Sequence, residues 1–349
     1  MFDLLVGNQR ARDTLRRMLE QRRVPGALLF AGEEAVGKKL FALELAKALN
    51  CRTPAGVEAC DVCSSCVRIM RFAQAPIDQA DDGKHILWSE HRDVGLVRAE
   101  KRVINVHQAR DVERETNFRP HEGKARVFLI EEADKLNEQA SNALLKTLEE
   151  VAPTSHLILL TARPASLLST IRSRCQTIRF APLPAAEIED YLVKHQKRAG
   201  EEARMAAHLA RGRLGLALEL NLDAYAEQRE AMLFVLDALV GQTDRARLLR
   251  AAEDLSDAKR KDEFEPRLDV LETLIRDAWL LSLDPAGAKI VNEDIRERLA
   301  RLGAKFKSRH AADWIARIQE LRGQLAVNIN RRIATDALFL FMAGATTRS

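Results

Sequence analysis

Apolar and polar positions alternate along this chain on two different periods, and the change between them divides it. Up to about residue 182, short continuous apolar runs are interleaved with stretches of helical spacing. Ala27–Ala31 (ALLFA), Arg126–Ile130 (RVFLI), His156–Thr161 (HLILLT) and Thr177–Phe180 read as buried strands, because a strand covered on both faces has no polar side to show. Asp13–Gln21, Lys38–Leu49 and Asn137–Val151 carry apolar residues at helical spacing. Strands alternating with helices imply a parallel sheet with crossover helices, an α/β domain. After Pro182-Leu183-Pro184 the strand signals fade. Pro184–Gln196, Glu201–Ala210 and Leu214–Leu220 form a compact helical group, and longer amphipathic segments such as Arg267–Leu281 and Ala311–Leu325 follow from about Asp223. The expected division is 1–182, 183–222 and 223–349. Asp78–Arg102, charged and containing Asp81-Asp82-Gly83-Lys84, is the expected weak point in order.

Composition changes this picture little. The 349 residues are enough for two or three domains, and scarce aromatics (5%) with abundant Ala, Leu, Arg and Glu favour helices over β-sandwiches. A net charge of +4 does not announce a nucleic-acid binder. No apolar run reaches the roughly 18–20 residues of a membrane span, and the first residues lack the pattern of a signal peptide. A cytoplasmic protein without membrane contact is expected, its five cysteines being thiols or metal ligands rather than disulfides.

The strand Ala27–Ala31 runs into Gly32-Glu-Glu-Ala-Val-Gly37-Lys38-Lys39, and a helix follows. Strand, glycine-rich turn and helix are the context of a phosphate loop, whose backbone N–H groups cradle phosphates and whose lysine, here Lys38, reaches them. The pattern ends in Ser or Thr because that hydroxyl holds Mg²⁺; here Lys39 stands there, and an ammonium has only donors. The strand RVFLI ends in Glu131-Glu132. A working ATPase usually has Asp first, for the metal, and Glu second, to position water. Glu131 is one methylene longer and would reach a metal only through a shifted geometry. Hydrolysis is therefore not expected, while ATP or ADP binding stays open because Lys38 and the backbone cradle remain.

Cys51, Cys60, Cys63 and Cys66 fall as C-x8-C-x2-C-x2-C. Four thiolates so spaced satisfy a tetrahedral structural Zn²⁺ and leave no open position for catalytic water. Cys175 stands apart.

Two further stretches carry a family resemblance. Ala140–Thr161 (ASNALLKTLEEVAPTSHLILLT) and Leu167–Leu183 (LLSTIRSRCQTIRFAPL) resemble the clamp-loader branch of the AAA+ ATPases, and Ser173-Arg174-Cys175 is similar to its SRC motif. The resemblance implies an AAA+ domain with an embedded zinc module at 51–66, a small helical lid and an all-α collar. It also implies that Arg174 acts in trans, as an arginine finger on the ATP site of a neighbouring subunit. Thr161 falls where the family has its sensor-1 residue; where sensor-2 arginine is expected, Leu216 stands, with Arg213 three residues earlier. Some members of this branch have a damaged phosphate loop but keep SRC, and this sequence has that combination. The implied partners are motor subunits (gamma/tau) and a delta subunit in a hetero-pentamer, a sliding clamp, and primed DNA reached through the assembly. Arg110, Arg114 and Arg119 are exposed-charge candidates for phosphate contact, or simply a solvated face. An active ATPase motor, and a zinc-containing DNA-binding module with a vestigial motor fold, are the competing readings.

Overall fold

The computed structural model describes residues 5–72, 85–100, 102–241, 245–305, 307–325 and 330–347. The chain separates into two compact units, 1–219 and 220–349.

The first unit is built on a six-stranded sheet. Its elements run α1 (Gln9–Glu20), β1 (Ala27–Ala31), α2 (Lys38–Asn50), α3 (Ser64–Ile69), β2 (Leu87–Trp88), β3 (Val94–Val97), α4 (Val106–Thr116), β4 (Arg126–Ile130), α5 (Glu138–Glu149), β5 (Ser155–Thr161), α6 (Ser169–Arg174), β6 (Gln176–Arg179), α7 (Ala185–Gln196), α8 (Gly200–Leu209) and α9 (Leu214–Glu219). The strand order is β2-β3-β4-β5-β1-β6, parallel throughout except for the β2–β3 pair. The expected α/β architecture with a parallel sheet and flanking helices is thus observed.

The strand alternation sorts the core into two layers. Leu28, Phe30, Val127, Leu129, Ile158 and Leu160 pack on one face with Leu15 of α1 and Phe41 and Leu45 of α2. Ala27, Leu29, Phe128, Ile130, Leu157 and Leu159 pack on the other with Val112 of α4, Leu144 of α5 and Ile171 of α6. Every residue of β1, β4 and β5 is buried, which is why these strands read as unbroken apolar runs.

Part of the stretch expected to be poorly ordered is structured. Residues 78–84 and 101 lie outside the described residues, but β2 and β3 fall within 85–100, and β3 pairs in parallel with β4 from Val94↔Val127 to Val97↔Ile130. Charged neighbours mask a four-residue strand that is fully buried in the sheet. Helix α4 follows it, started by a capping box in which the Asn105 side chain accepts from the Gln108 N–H and the Gln108 side chain accepts from the Asn105 N–H.

The second unit is helical: α10 (Leu222–Val240), α11 (Arg245–Leu255), α12 (Phe264–Leu283), α13 (Arg296–Gly303), α14 (Ser308–Leu325) and α15 (Arg331–Thr347). Helix α12 is its centre, with Phe264, Leu268, Leu271, Leu274, Ile275 and Ala278 almost inaccessible to solvent. The Asp277 carboxylate on α12 is buried and accepts from the backbone N–H groups of Val291 and Asn292, which satisfies a charge that would otherwise be costly to bury. No helix among the described residues is long and apolar enough to cross a membrane.

Candidate functional site

The turn after β1 places its two glycines for different reasons. A Cβ on Gly32 would come within 2.4 Å of the Phe180 carbonyl oxygen, so close backbone approach requires glycine there. Gly37 has open space around it but a φ of 100°, a left-handed conformation that L side chains rarely adopt. It forms the N-cap of α2, and the next residue, Lys38, turns back into the loop. Its ammonium donates to the carbonyls of Gly32, at 2.6 Å, and Glu33. Burial holds the Lys38 ammonium below the ordinary lysine value, against the opposing pull of Glu34, Asp134 and Glu33.

Beside the loop is a cavity of about 560 Å³, within the size range of small-molecule sites. Gly37, Lys38, Lys39, Glu131, Glu132 and Thr161 all line it, so β1, β4 and β5 deliver those sequence candidates to one place at their C-terminal ends. Gly32 adjoins it through the contact of its carbonyl with Lys38. Leu216 also lines the cavity, whereas the Arg213 guanidinium donates to the Ala210 carbonyl at 3.2 Å and is not in the lining.

The position that a metal would take is filled by the protein's own charges. Lys39 Nζ lies 2.9 Å from Glu131 Oε1, and Arg98 Nε donates to Glu131 Oε2 at 2.6 Å. Both carboxylate oxygens are engaged by cations. A dication within a few ångströms of this ammonium and guanidinium would meet repulsion of order several kcal/mol. Glu132, at φ 48°, is in the left-handed region and pairs with Lys135 at 2.7 Å. Residues present at the phosphate loop therefore do not fit Mg²⁺: the hydroxyl is missing and the carboxylate is occupied.

Three residues escaped the sequence reading. Arg98, from the end of β3, is one. Asp134 is another: it lines the cavity, accepts from the Thr161 hydroxyl at 2.7 Å, and is paired with the third, Arg163. Burial works to raise the Asp134 carboxyl, but the hydrogen bonds from Thr161 and Arg163 outweigh it and hold the group below the usual carboxylate range. The signal for Asp134 was an acid two residues after Glu132, and for Arg163 a base two residues after Thr161; Arg98 had none, since only folding brings it near.

Arg174 is not in this cavity. It ends α6 and lies in a second one with Ala27, Glu149, Ser173 and Cys175. Its Nε donates to Glu149 at 2.6 Å, its Nη1 donates to the Thr170 carbonyl at 2.9 Å, and about a third of its side chain remains accessible. Cys175 beside it is buried, which pushes its thiol up to about 12 and keeps it protonated. Of the basic candidates for phosphate contact, Arg110 and Arg119 are exposed, and Arg114 pairs with Asp111 at 3.0 Å.

The four clustered cysteines do converge. Their sulfurs lie within 4.8 Å of one another and could hold a metal ion. The Cys51–Cys63 and Cys63–Cys66 separations of 3.9 and 3.5 Å bracket the roughly 3.8 Å edge of a tetrahedron with 2.3 Å metal–sulfur bonds. The Cys60 N–H donates to Cys51 Sγ at 3.4 Å and the Cys63 N–H to Cys60 Sγ at 3.3 Å, the donors that sulfur anions need. The Thr53 hydroxyl and the backbone N–H groups of Cys63 and Val62 bring the Cys60 thiol down to about 6.

Comparison with known proteins places the chain in a family. A family model described as DNA polymerase III, delta subunit, matches residues 7–184. The chain is 28% identical over 325 residues to DNA polymerase III subunit delta' of Bacillus subtilis, covering 93% of this chain and 92% of that one. It is 27% identical over 318 residues to the Escherichia coli subunit delta', covering 90% and 87%. With DNA polymerase III subunit tau of Salmonella typhimurium it shares 28% identity over 320 residues, spanning 86% of this chain but 47% of the relative. A solved gamma subunit-related protein from Thermotoga maritima aligns over 96% of this chain and 99% of its own length, with 18% identity and a TM-score of 0.48. With a family match over half its length, this chain belongs to the DNA polymerase III delta-subunit family.

Proposed function

We propose that this chain is a delta'-type subunit of a bacterial clamp loader, a stator that hydrolyses no ATP itself and donates Arg174 to the ATP site of a neighbouring motor subunit. The observation that carries this reading is an accessible, well-held guanidinium at Arg174 on a chain whose own metal position is filled by Lys39. The two features sit at opposite ends of one strand: Ala27 borders the Arg174 cavity, and Ala31 precedes the loop. About 13 Å of strand separates them, at roughly 3.3 Å per residue. Head-to-tail contacts around a ring need this arrangement, with a nucleotide site on one side of each subunit and a finger on the other.

In this reading residues 1–182 are the AAA+ domain, 183–222 a helical lid and 223–349 a collar that packs with gamma/tau motor subunits and delta in a hetero-pentamer. The cysteine quartet holds a structural Zn²⁺, the ion that four thiolates suit. The assembly works in the cytoplasm, opening a sliding clamp and placing it on primed DNA. Arg174→Ala in a reconstituted loader tests the proposal. Assembly is expected to persist while turnover at the site beside this chain falls by about 10³ or more, the usual effect of losing an arginine finger. Unchanged ATPase would remove the finger from the account.

A further inference from the structure

The mismatch between the phosphate loop and magnesium has a consequence that is independent of Arg174. We propose that the cavity beside the loop takes a nucleoside di- or triphosphate as its metal-free anion, with the Lys39 ammonium serving as the resident cation in place of Mg²⁺.

A magnesium ion at such a loop needs one hydroxyl oxygen and one carboxylate oxygen with accessible lone pairs. This chain has an ammonium where the hydroxyl would be, 2.9 Å from the carboxylate that would be the second ligand. Arg98 holds the other oxygen of that carboxylate. The substitutions at Lys39 and Glu131 are thus one change: the two residues satisfy each other and close the metal position together. Lys39 has three N–H donors, of which Glu131 takes one, and about a third of its side chain is accessible beside the cavity. The others are placed to meet phosphate oxygens next to Lys38, whose ammonium would exchange the Gly32 and Glu33 carbonyls for the ligand. The backbone cradle keeps its geometry, with Gly37 left-handed at the N-cap of α2. Leu40, Leu214, Leu216 and Leu218 give the same cavity an apolar share suited to the non-phosphate part of a nucleotide. Glu33 and Glu34 are the acids of the loop, and both are exposed, where water screens them.

The test is a binding titration of the purified full-length chain with fluorescent ADP and ATP, in buffer containing magnesium and in magnesium-free buffer prepared over a chelating resin. Soluble chelators are avoided because they would compete for the cysteine cluster. ATP affinity is expected to be about tenfold or more weaker in the magnesium buffer, because magnesium in solution chelates the phosphates and depletes the metal-free anion that the site takes. Equal or tighter binding in the magnesium buffer, or the absence of binding in both, would overturn the proposal. Lys39→Met keeps the length and removes the charge; it leaves Glu131 paired with Arg98, so the fold is expected to melt at the same temperature. ATP binding is expected to weaken by about tenfold in both buffers, and Lys39→Arg to restore it. Unchanged affinity in Lys39→Met would show that this ammonium is not the resident cation.

Discussion

The Lys39 ammonium and the Glu131 carboxylate meet at 2.9 Å, joining the first turn of α2 to the end of β4 at the position where a motor ATPase binds its metal. A salt bridge here cannot polarise a phosphate or hold an attacking water as a magnesium ion does. The purified chain is therefore expected to release no phosphate from ATP above background in magnesium buffer. Turnover that Lys38→Ala abolishes would move the chain into the motor class.

Arg174 and Glu149 form a pair with both side chains partly exposed, and such pairs contribute little to stability. Glu149→Ala is expected to change unfolding free energy by no more than about 0.5 kcal/mol. In a reconstituted loader it should also leave ATPase intact, because the guanidinium stays anchored to the Thr170 carbonyl. Loss of ATPase equal to that of Arg174→Ala would mean that Glu149 is needed to aim the finger.

The cysteine module has almost no core of its own: Cys51, Ala59 and Cys66 are its buried apolar residues. A small unit of this kind would depend on a bound ion for order. Displacing the cysteines with a thiol reagent is expected to release about one zinc per chain, read by a chromogenic zinc indicator. Proteolysis should then begin within 51–66, while far-UV circular dichroism stays nearly constant because both layers of the sheet core lie elsewhere. Loss of the whole helical signal would show that the module supports the entire unit.

His156 gives a signed pH dependence. Its Nδ1 is 3.0 Å from the Pro25 carbonyl, an oxygen that can only accept, so Nδ1 carries the proton of a neutral ring. Burial lowers its pKa, against the effect of that hydrogen bond. The unfolded imidazole titrates near about 6.5 and binds a proton that the folded one refuses. Stability is thus highest above that pH, falls as acid is added, and levels off once the folded ring protonates, with a slope of at most about 1.4 kcal/mol per pH unit. His156→Gln should flatten the profile by up to that slope in urea unfolding across pH 5–7. Identical slopes would show that the ring protonates without opening the fold.

The two loop glycines should respond differently to a methyl group. Gly32→Ala pushes a Cβ against the Phe180 backbone and should cost about 1–3 kcal/mol or more by denaturant unfolding. Gly37→Ala meets nothing and carries only the penalty of the left-handed backbone, about 1 kcal/mol. Equal costs would mean that the loop shifts to relieve the Gly32 contact.

The sequence by itself determined the sheet's centre, the loop and the cysteine quartet. Strands β1, β4 and β5 were legible because burial on both faces writes an apolar run that few other structures produce. The loop and the quartet were legible because their chemistry depends on spacing along the chain. Strand β3 was not: four residues among charges acquire their identity only from the ladder with β4. Helix α4 was not read from the sequence either: its one local signal is the N-x-x-Q cap of Asn105 and Gln108, which hydrophobic spacing alone does not reveal. Lys39 and Glu131 could each be read as a departure from a working motor, but their pairing, and the clasp of Arg98 on the second oxygen, belong to three segments far apart in sequence. Only the parallel sheet, in which β3, β4, β5 and β1 follow one another with their C-terminal ends together, turns two substitutions and one distant arginine into one closed metal position.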